Sequence, residues 1–181
     1  ILEGYESQLT GLIEHCVNQV EPQYTPSDFG DVSLSLKELK ELEARFKHNI
    51  QSIYPLSPMQ EGMLFLSLMN QSSNAYFEQS IYEVQGQLDI SLFEKHFNAI
   101  VQKYDVLRTA FVHYGLVRQV VLAQRLVPIY YEDVSPLTEV EMLQRVEAYQ
   151  QANRRRAFRL DTEPLIRLAV FKLARDSYTV I

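Results

Sequence analysis

The chain has 181 residues, of which 46% are hydrophobic and 22% charged, and its formal net charge is −6. This balance is typical of a globular protein with a buried core, and the acidic excess argues against a general nucleic-acid binder, which needs a basic face to meet phosphates. The single cysteine, Cys16, excludes an internal disulfide and a cysteine-based zinc site, and because neither a membrane-spanning run nor a signal peptide is present, we expect no membrane association and a cytoplasmic location.

Charge divides the chain into two parts. Residues 1–50 carry −5 of the net charge, whereas the other 131 residues are near neutral at −1. This shift predicts a boundary near residue 50. The first residue is isoleucine and not methionine, so we expect the chain to be a piece of a longer protein.

Two helices are predicted before this boundary. In the first, apolar residues recur at three- and four-residue spacing until Pro22 and Pro26 end the helical pattern, and residues 21–33 then form a linker. The second helix opens with a capping box, in which the side chains of Ser35 and Glu38 satisfy the first free amide groups. So short a helix is marginal alone, and it must therefore lay its apolar stripe on another element. The stripe consists of Leu36, Leu39, Leu42 and Phe46.

From Ile50 onward, helix and strand patterns alternate. Ser57 caps a helix that begins at Pro58 and runs to about Asn70. Capping boxes at Ser91 with Glu94, and at Thr138 with Glu141, begin two further helices, the last of which runs to about Ala157. Segments rich in β-branched and aromatic residues predict strands over residues 75–88, 107–114, 117–123, 127–131, 165–173 and 178–181.

The order of these elements predicts the fold class. The two strands around Gly115 form a hairpin, and the almost continuous apolar run over residues 165–173 indicates a central buried strand. The predicted fold is therefore α/β, with helices packed on a mixed sheet in two layers.

Individual side chains do not reveal an active site. None of the histidines has a second histidine or a carboxylate at ligand spacing, so we predict no metal site. His15 and Cys16 are adjacent and face different directions on a helix, which argues against activation of the thiol. GxSxG, P-loop and GxGxxG motifs do not occur. The four histidines are His15, His48, His96 and His113.

The largest positive feature is the run Arg154–Arg156, followed by Arg159. One interpretation is a dock for an acidic partner or a phosphate, which guanidinium groups bind well. The other is the last turn of a helix, where cations complement the helix dipole and face water. Both interpretations stay open at this point.

Four segments resemble one protein family. Tyr54–Phe65, with the sequence YPLSPMQEGMLF, resembles the opening motif of condensation domains in non-ribosomal peptide synthetases, in the form found in the subclass that accepts a D-configured donor residue. Tyr104–Phe111, with the sequence YDVLRTAF, is similar to the second motif of these domains. Ala75–Gln79 and Phe158–Leu173 also resemble the family, and the resemblance covers roughly residues 50–181.

The preceding residues resemble two other parts of such synthetases. Residues 1–29, with LIEHC and YTPSDF, look like the C-terminal tail of an epimerisation domain, and residues 30–49 look like an interdomain linker with a short helix. An epimerisation domain supplies a D-residue, which the D-accepting subclass of condensation domain would then use. The two resemblances therefore imply the same donor.

The resemblance implies few site residues within the chain. The family motif HHxxxDG, whose second histidine assists the reaction, does not occur, so we expect no catalytic residue here and place the catalytic histidine just beyond Ile181. Arg108 is similar to the family arginine that pairs with the aspartate of HHxxxDG and supports the active site, although an ordinary salt bridge elsewhere is the alternative. Ser57 and Gln60 match the first motif, where we expect them to cap and pack beneath the cleft. We interpret Met59, Met63 and Met69 as core residues.

The implied fold is the first half of a chloramphenicol acetyltransferase-like domain, truncated and preceded by the helical tail and linker. Its implied reaction is acyl transfer from a carrier-bound thioester to an amine, which forms a peptide bond; this piece alone would be inactive. No directly bound cofactor or metal is implied, since the thioesters are presented on phosphopantetheine arms. Upstream and downstream peptidyl carrier proteins and adjoining epimerisation and adenylation domains are the implied partners, without nucleic acid or membrane. The alternatives are a non-catalytic docking or linker module and a CoA-dependent acyltransferase.

Overall fold

A computed structural model describes residues 2–18, 24–31, 33–69, 76–113, 115 and 117–181. Its α-helices are α1 (Leu2–Asn18), α2 (Leu36–Phe46), α3 (Pro58–Met69), α4 (Ile90–Lys103) and α5 (Glu139–Arg155). Its strands are β1 (Ile50–Tyr54), β2 (Tyr82–Gln85), β3 (Thr109–Val112), β4 (Arg118–Leu122), β5 (Ile129–Asp133), β6 (Leu168–Ala174) and β7 (Ser177–Val180). None of the helices in these ranges is long and apolar enough to cross a membrane.

Local capping signals place most helix starts correctly. The Glu38 amide donates to Ser35 Oγ over 3.2 Å, and the Ser35 amide donates to the Glu38 carboxylate over 2.8 Å, as the capping box predicts. Thr138 and Glu141 make the same reciprocal bonds at the start of α5. Such bonds satisfy amide groups that have no partner within the helix, which is why they mark its first turn.

The capping box predicted for α4 is wrong. Asp89 is the cap, and its Oδ1 accepts a hydrogen bond of 3.0 Å from the Leu92 amide and another from the Ser91 hydroxyl. The Glu94 carboxylate instead accepts a bond of 3.0 Å from the Ile129 amide, at the start of β5. Glu94 is therefore used for a tertiary contact, because an aspartate two residues before Ser91 already caps the helix.

The strands form two sheets. One is antiparallel and has the order β1-β4-β3, with β3 and β4 forming the predicted hairpin around Gly115 at φ 76°. The other has the order β2-β7-β6-β5, in which only β5 and β6 are parallel among the described strands, so the predicted mixed sheet is confirmed. The strand predicted over 75–88 is shorter in the structure, because β2 ends before Gly86 at φ 111°. The first residue of the predicted range lies outside the described residues.

The mixed sheet carries helices on both faces. The inner strand β6 alternates its side chains, so that Ala169 and Phe171 lie with Val146 of α5 in one cluster. Val170 points to the opposite face, where Phe93 of α4 packs against its cluster. This two-sided burial explains the continuous apolar run of the strand.

The linker belongs to the core of the antiparallel sheet. Leu39 and Leu42 of α2 are buried against this sheet, and Phe46 packs on the same cluster, but Leu36 is 57% exposed and was wrongly included in the buried stripe. The described part of residues 21–33 contains a 3₁₀ turn, Pro26–Phe29. The buried members of this cluster are Phe29, Leu34, Leu39, Leu42, Ile50, Ile53, Val112, Val120 and Leu122.

The sequence led us to expect that residues 1–30 would share no core with residues 50–181. That expectation is wrong at Phe29, which is 7% exposed and lies in the cluster with Ile53. Asp31 adds a polar tie, because its carboxylate accepts hydrogen bonds from Arg118 of β4 and from the Ser33 amide. The boundary in charge near residue 50 is therefore not a boundary in packing.

Asp31→Asn is expected to lower the free energy of unfolding at neutral pH and to have a smaller effect in acid. Burial opposes the charged form of Asp31, but hydrogen bonds from Ser33 and Arg118 outweigh it and hold the pKa of this carboxyl below its usual value. The contribution is therefore complete above the unfolded pKa of about 3.9 and is lost as the pH falls through the lower folded pKa. At pH 7 the free energy of unfolding of the variant should be lower by about 1.5–3 kcal/mol, the range for hydrogen bonds to a charged group.

Urea unfolding between pH 7 and pH 3 measures this difference. The difference in free energy of unfolding between wild type and Asp31→Asn should become smaller toward pH 3. Asp176→Asn, in the exposed β6–β7 turn, should have the same free energy of unfolding as wild type at each pH. A gap that stays constant with pH would contradict the assignment.

Candidate functional site

Arg108 is the charged residue among the predicted site residues, and several hydrogen bonds fix its side chain. It ends a 3₁₀ turn directly before β3, and its side chain is 5% exposed. Its Nε donates to the Gln102 carbonyl over 3.1 Å, and Nη1 donates to Gln51 Oε1 over 2.8 Å and to the Leu122 carbonyl. The guanidinium thus joins the end of α4 to β1 and β4, which suits the fixed fork of an arginine.

Asp105, the aspartate of the YD motif, is the ionic partner of Arg108 within the described chain. Its side chain is 56% exposed, so the pair has one buried and one solvated end. The predicted partner, the aspartate of HHxxxDG, does not occur in this sequence, and that pairing stays a prediction. Gln51 was missed because it lies 57 residues away in sequence and belongs to no motif.

Ser57 and Gln60 of the first motif form a cap at the start of α3. The Gln60 amide donates to Ser57 Oγ over 3.3 Å, and the Ser57 amide donates to Gln60 Oε1 over 2.8 Å. Gln60 Nε2 also donates to Gln119 Oε1 over 3.2 Å, and Gln119 in turn donates to the Pro55 carbonyl over 2.9 Å. These amides tie the start of α3 to β4, and none of them is a group suited to proton transfer at neutral pH.

Gln60→Ala should lower the free energy of unfolding by about 1–2 kcal/mol, because it removes both the cap and the link to Gln119. Gln60→Glu is the matched variant: its carboxylate can still accept from the Ser57 amide, but it has no donor for Gln119. We expect Gln60→Glu to retain about half of the lost stability in urea unfolding. Wild-type stability for both variants would show that the network contributes nothing.

The methionines of α3 are not core residues in this chain, which corrects their interpretation. Met59 and Met69 are 77% and 71% exposed, and Met63 is 38% exposed. Only Leu64 is buried in this helix. Apolar side chains therefore lie on several sides of α3, and the other described residues cover only part of them.

The interpretation as a helix end is correct for Arg154 and Arg155, which lie exposed in the last turn of α5. The arginines that follow them have an acidic partner within the chain, which neither interpretation included. Arg156, Arg159 and Arg167 all lie within 3.4 Å of the Glu163 carboxylate, and Arg167 also stacks on the Phe158 ring at 4.0 Å. Burial raises the pKa of Glu163, but hydrogen bonds from Arg159 and Arg156 outweigh it, so the net pKa is lowered. Sequence reasoning missed Arg167 and Glu163, because neither belongs to the basic run.

The described histidines do not form a metal centre. Across the ranges that the structure describes, no three His, Cys, Asp or Glu side chains lie close enough to hold a metal ion. His48 follows α2 in a turn at φ 58°, and its Nδ1 lies 3.8 Å from the Glu43 carboxylate.

The fold is shared with solved condensation domains. The starter condensation domain of rhizomide synthetase superposes on 71% of this chain with a TM-score of 0.64 and 19% identity, and the match covers 32% of that chain. A four-domain nonribosomal peptide synthetase gives a TM-score of 0.60 over 72% of this chain and 10% of its own, at 17% identity. At these identities the likeness establishes the fold alone: an α/β unit that corresponds to part of a larger solved domain.

Sequence comparison identifies the family. The family model named Condensation domain matches residues 50–181. The chain therefore belongs to the condensation-domain family.

Two relatives show the breadth of the match. Bacitracin synthase 3 of Bacillus licheniformis is 39% identical over 99% of this chain, and tyrocidine synthase 2 of Brevibacillus parabrevis is 41% identical over 75% of it. The chain spans only 3% and 4% of the length of these two synthases.

Proposed function

We propose that this chain is the first part of a condensation domain in a non-ribosomal peptide synthetase. The domain would transfer the acyl group of a carrier-bound donor thioester to the amine of an aminoacyl acceptor. The match of the family model to residues 50–181 carries the proposal. The two motifs that the sequence shares with the family also lie in ordered, bonded positions, at Gln60 and Arg108.

Residues 1–29 would be the tail of an epimerisation domain, residues 30–49 the linker, and residues 50–181 the condensation part. The alignment with bacitracin synthase 3 covers 99% of the chain, so a comparable segment precedes the condensation motifs in that relative. An upstream epimerisation domain would supply a D-configured donor residue, in agreement with the form of the first motif.

The chain itself supplies support and not reacting groups. Arg108 would hold the turn before β3 against β1 and β4, and so fix the walls near the catalytic histidine, which we place beyond Ile181. Ser57 and Gln60 would fix the start of α3. Such a reaction depends on the positioning of two substrates, and a displacement of about 1 Å can cost a hundredfold in rate.

The substrates would arrive on phosphopantetheine arms of an upstream and a downstream peptidyl carrier protein in the cytoplasm. Adenylation domains would load these carriers. Since the arms belong to the substrates, the domain would need no resident cofactor.

The test is peptide formation by the intact synthetase that contains this chain. Carrier-bound donors of D and L configuration are mixed with an aminoacyl acceptor, and the dipeptidyl thioester is measured by mass spectrometry. We expect product from the D-donor, little from the L-donor and none when acyl-CoA replaces the donor carrier. The isolated chain of residues 1–181 should give no product above the uncatalysed background.

Each alternative function gives a different outcome. Transfer from acyl-CoA would indicate a CoA-dependent acyltransferase, and no transfer from any donor by the intact protein would indicate a docking or linker module. Equal use of both donors would reject the D-accepting subclass and leave the condensation function intact.

A further inference from the structure

A small groove lies where the linker helix meets two distant parts of the chain. It has a volume of about 150 Å³, and three segments line it: the end of α2, the end of β4 with the residues that follow it, and the loop after α5. The lining residues are Arg45, Phe46, Leu122, Arg125, Asp161 and Thr162.

Arg125 lines this groove, and most of the N–H donors of its guanidinium have no partner among the described residues. Its side chain is 8% exposed, and among the described residues it makes one hydrogen bond, from Nη1 to the Thr109 carbonyl over 3.0 Å. A guanidinium has five N–H donors, which Nε, Nη1 and Nη2 carry. Most of the donors of Arg125 therefore remain for water or a ligand.

The charge of Arg125 is not neutralised by the other lining residues. The Asp161 carboxylate is held by Arg45, in an ion pair whose side chains are 33% exposed for Arg45 and 17% exposed for Asp161. The groove therefore carries one net positive charge, which comes from Arg125. Burial lowers the pKa of Arg125, as expected for a cation withdrawn from water without a carboxylate partner.

We propose that this groove binds a small oxyanion of the phosphate class. Nε and Nη2 of Arg125 would donate to the anion as a two-pronged fork, which is the geometry that guanidinium offers to phosphate and carboxylate oxygens. The volume exceeds the roughly 30 Å³ share of one water several times, so an ion of this size enters with part of its hydration. Asp161 opposes the anion by charge and limits its affinity.

Binding would also stabilise the linker helix. The anion would lie between the end of α2 and the end of β4, where Phe46 packs against the cluster that contains Leu122. Occupancy by an anion should therefore slow the opening of both segments, since a ligand that binds only the closed arrangement shifts the equilibrium toward it.

Hydrogen exchange in the intact protein tests this proposal with inorganic phosphate as the probe. Phosphate is added at constant ionic strength against chloride, and exchange is measured by mass spectrometry in peptides that cover residues 36–46 and 118–127. In wild type we expect exchange of both peptides to slow saturably with phosphate. Arg125→Gln should raise the half-saturating phosphate concentration by about tenfold or more, because a charge-assisted hydrogen bond is lost.

Two further variants separate binding from misfolding. Arg175→Gln removes the same charge from an exposed turn and should respond as wild type does. Asp161→Asn removes the opposing carboxylate and frees Arg45, so its half-saturating concentration should fall several-fold, a result that no loss of folding can imitate. An unsaturable response in wild type, an equal response in Arg125→Gln, or weaker binding in Asp161→Asn would each overturn the proposal.

Discussion

Arg108→Ala should lower the free energy of unfolding by about 3 kcal/mol, at the upper end of what single substitutions do. The substitution leaves the carbonyls of Gln102 and Leu122 and the side-chain oxygen of Gln51 without their donor. Of these three residues only Leu122 is buried, and an unsatisfied buried acceptor costs about 1–3 kcal/mol. Gln51 and Gln102 are exposed, so water can replace part of what their oxygens lose. The Asp105 carboxylate adds little, because it is 56% exposed.

Chemical unfolding of three variants resolves these contributions. Asp105→Asn should cost no more than about 1 kcal/mol, as for an exposed ion pair. Arg108→Lys keeps the charge but not the fork, so it can satisfy fewer acceptors and should fall between wild type and alanine. If Asp105→Asn proves as damaging as Arg108→Ala, the ion pair dominates and the neutral acceptors do not.

The same variants bear on the proposed role of Arg108 in condensation. In the intact synthetase, Arg108→Lys should reduce the condensation rate by more than its loss of stability explains, if the fork also fixes the active-site loop. Wild-type rate and stability in both Arg108 variants would remove this residue from the site altogether.

Leu39→Ala should destabilise the protein by about 2–5 kcal/mol, whereas Leu36→Ala should change stability by no more than about 0.5 kcal/mol. Both leucines belong to α2, and both variants make the same change in side chain, from leucine to alanine. Leu39 is 1% exposed in the cluster with Ile53 and Val120, and Leu36 is 57% exposed. The two variants therefore isolate burial of the linker against the antiparallel sheet.

Urea unfolding followed by circular dichroism gives both values. Equal and small losses would show that α2 is a detachable linker, as its position in the sequence suggests. A large loss at Leu39 alone would show that the sheet requires α2 to complete its core.

The sequence by itself determined those features that depend on near neighbours. The capping boxes at Ser35 and Thr138 and the hairpin at Gly115 follow from residues within a few positions of one another, because a cap or a tight turn is closed by local hydrogen bonds. The inner strand β6 was also evident, since a strand buried on both faces needs apolar residues throughout. The family was evident from the motifs that contain Gln60 and Arg108.

The tertiary structure alone decided which neighbours those residues meet. Glu94, which the sequence predicted to be part of a local cap, accepts a hydrogen bond from an amide 35 residues away. Phe29 lies in one core with residues after position 50, although the charge pattern predicted a boundary between them. Burial depends on which surfaces come into contact after the chain closes loops of many residues. Local propensity does not specify these long-range contacts.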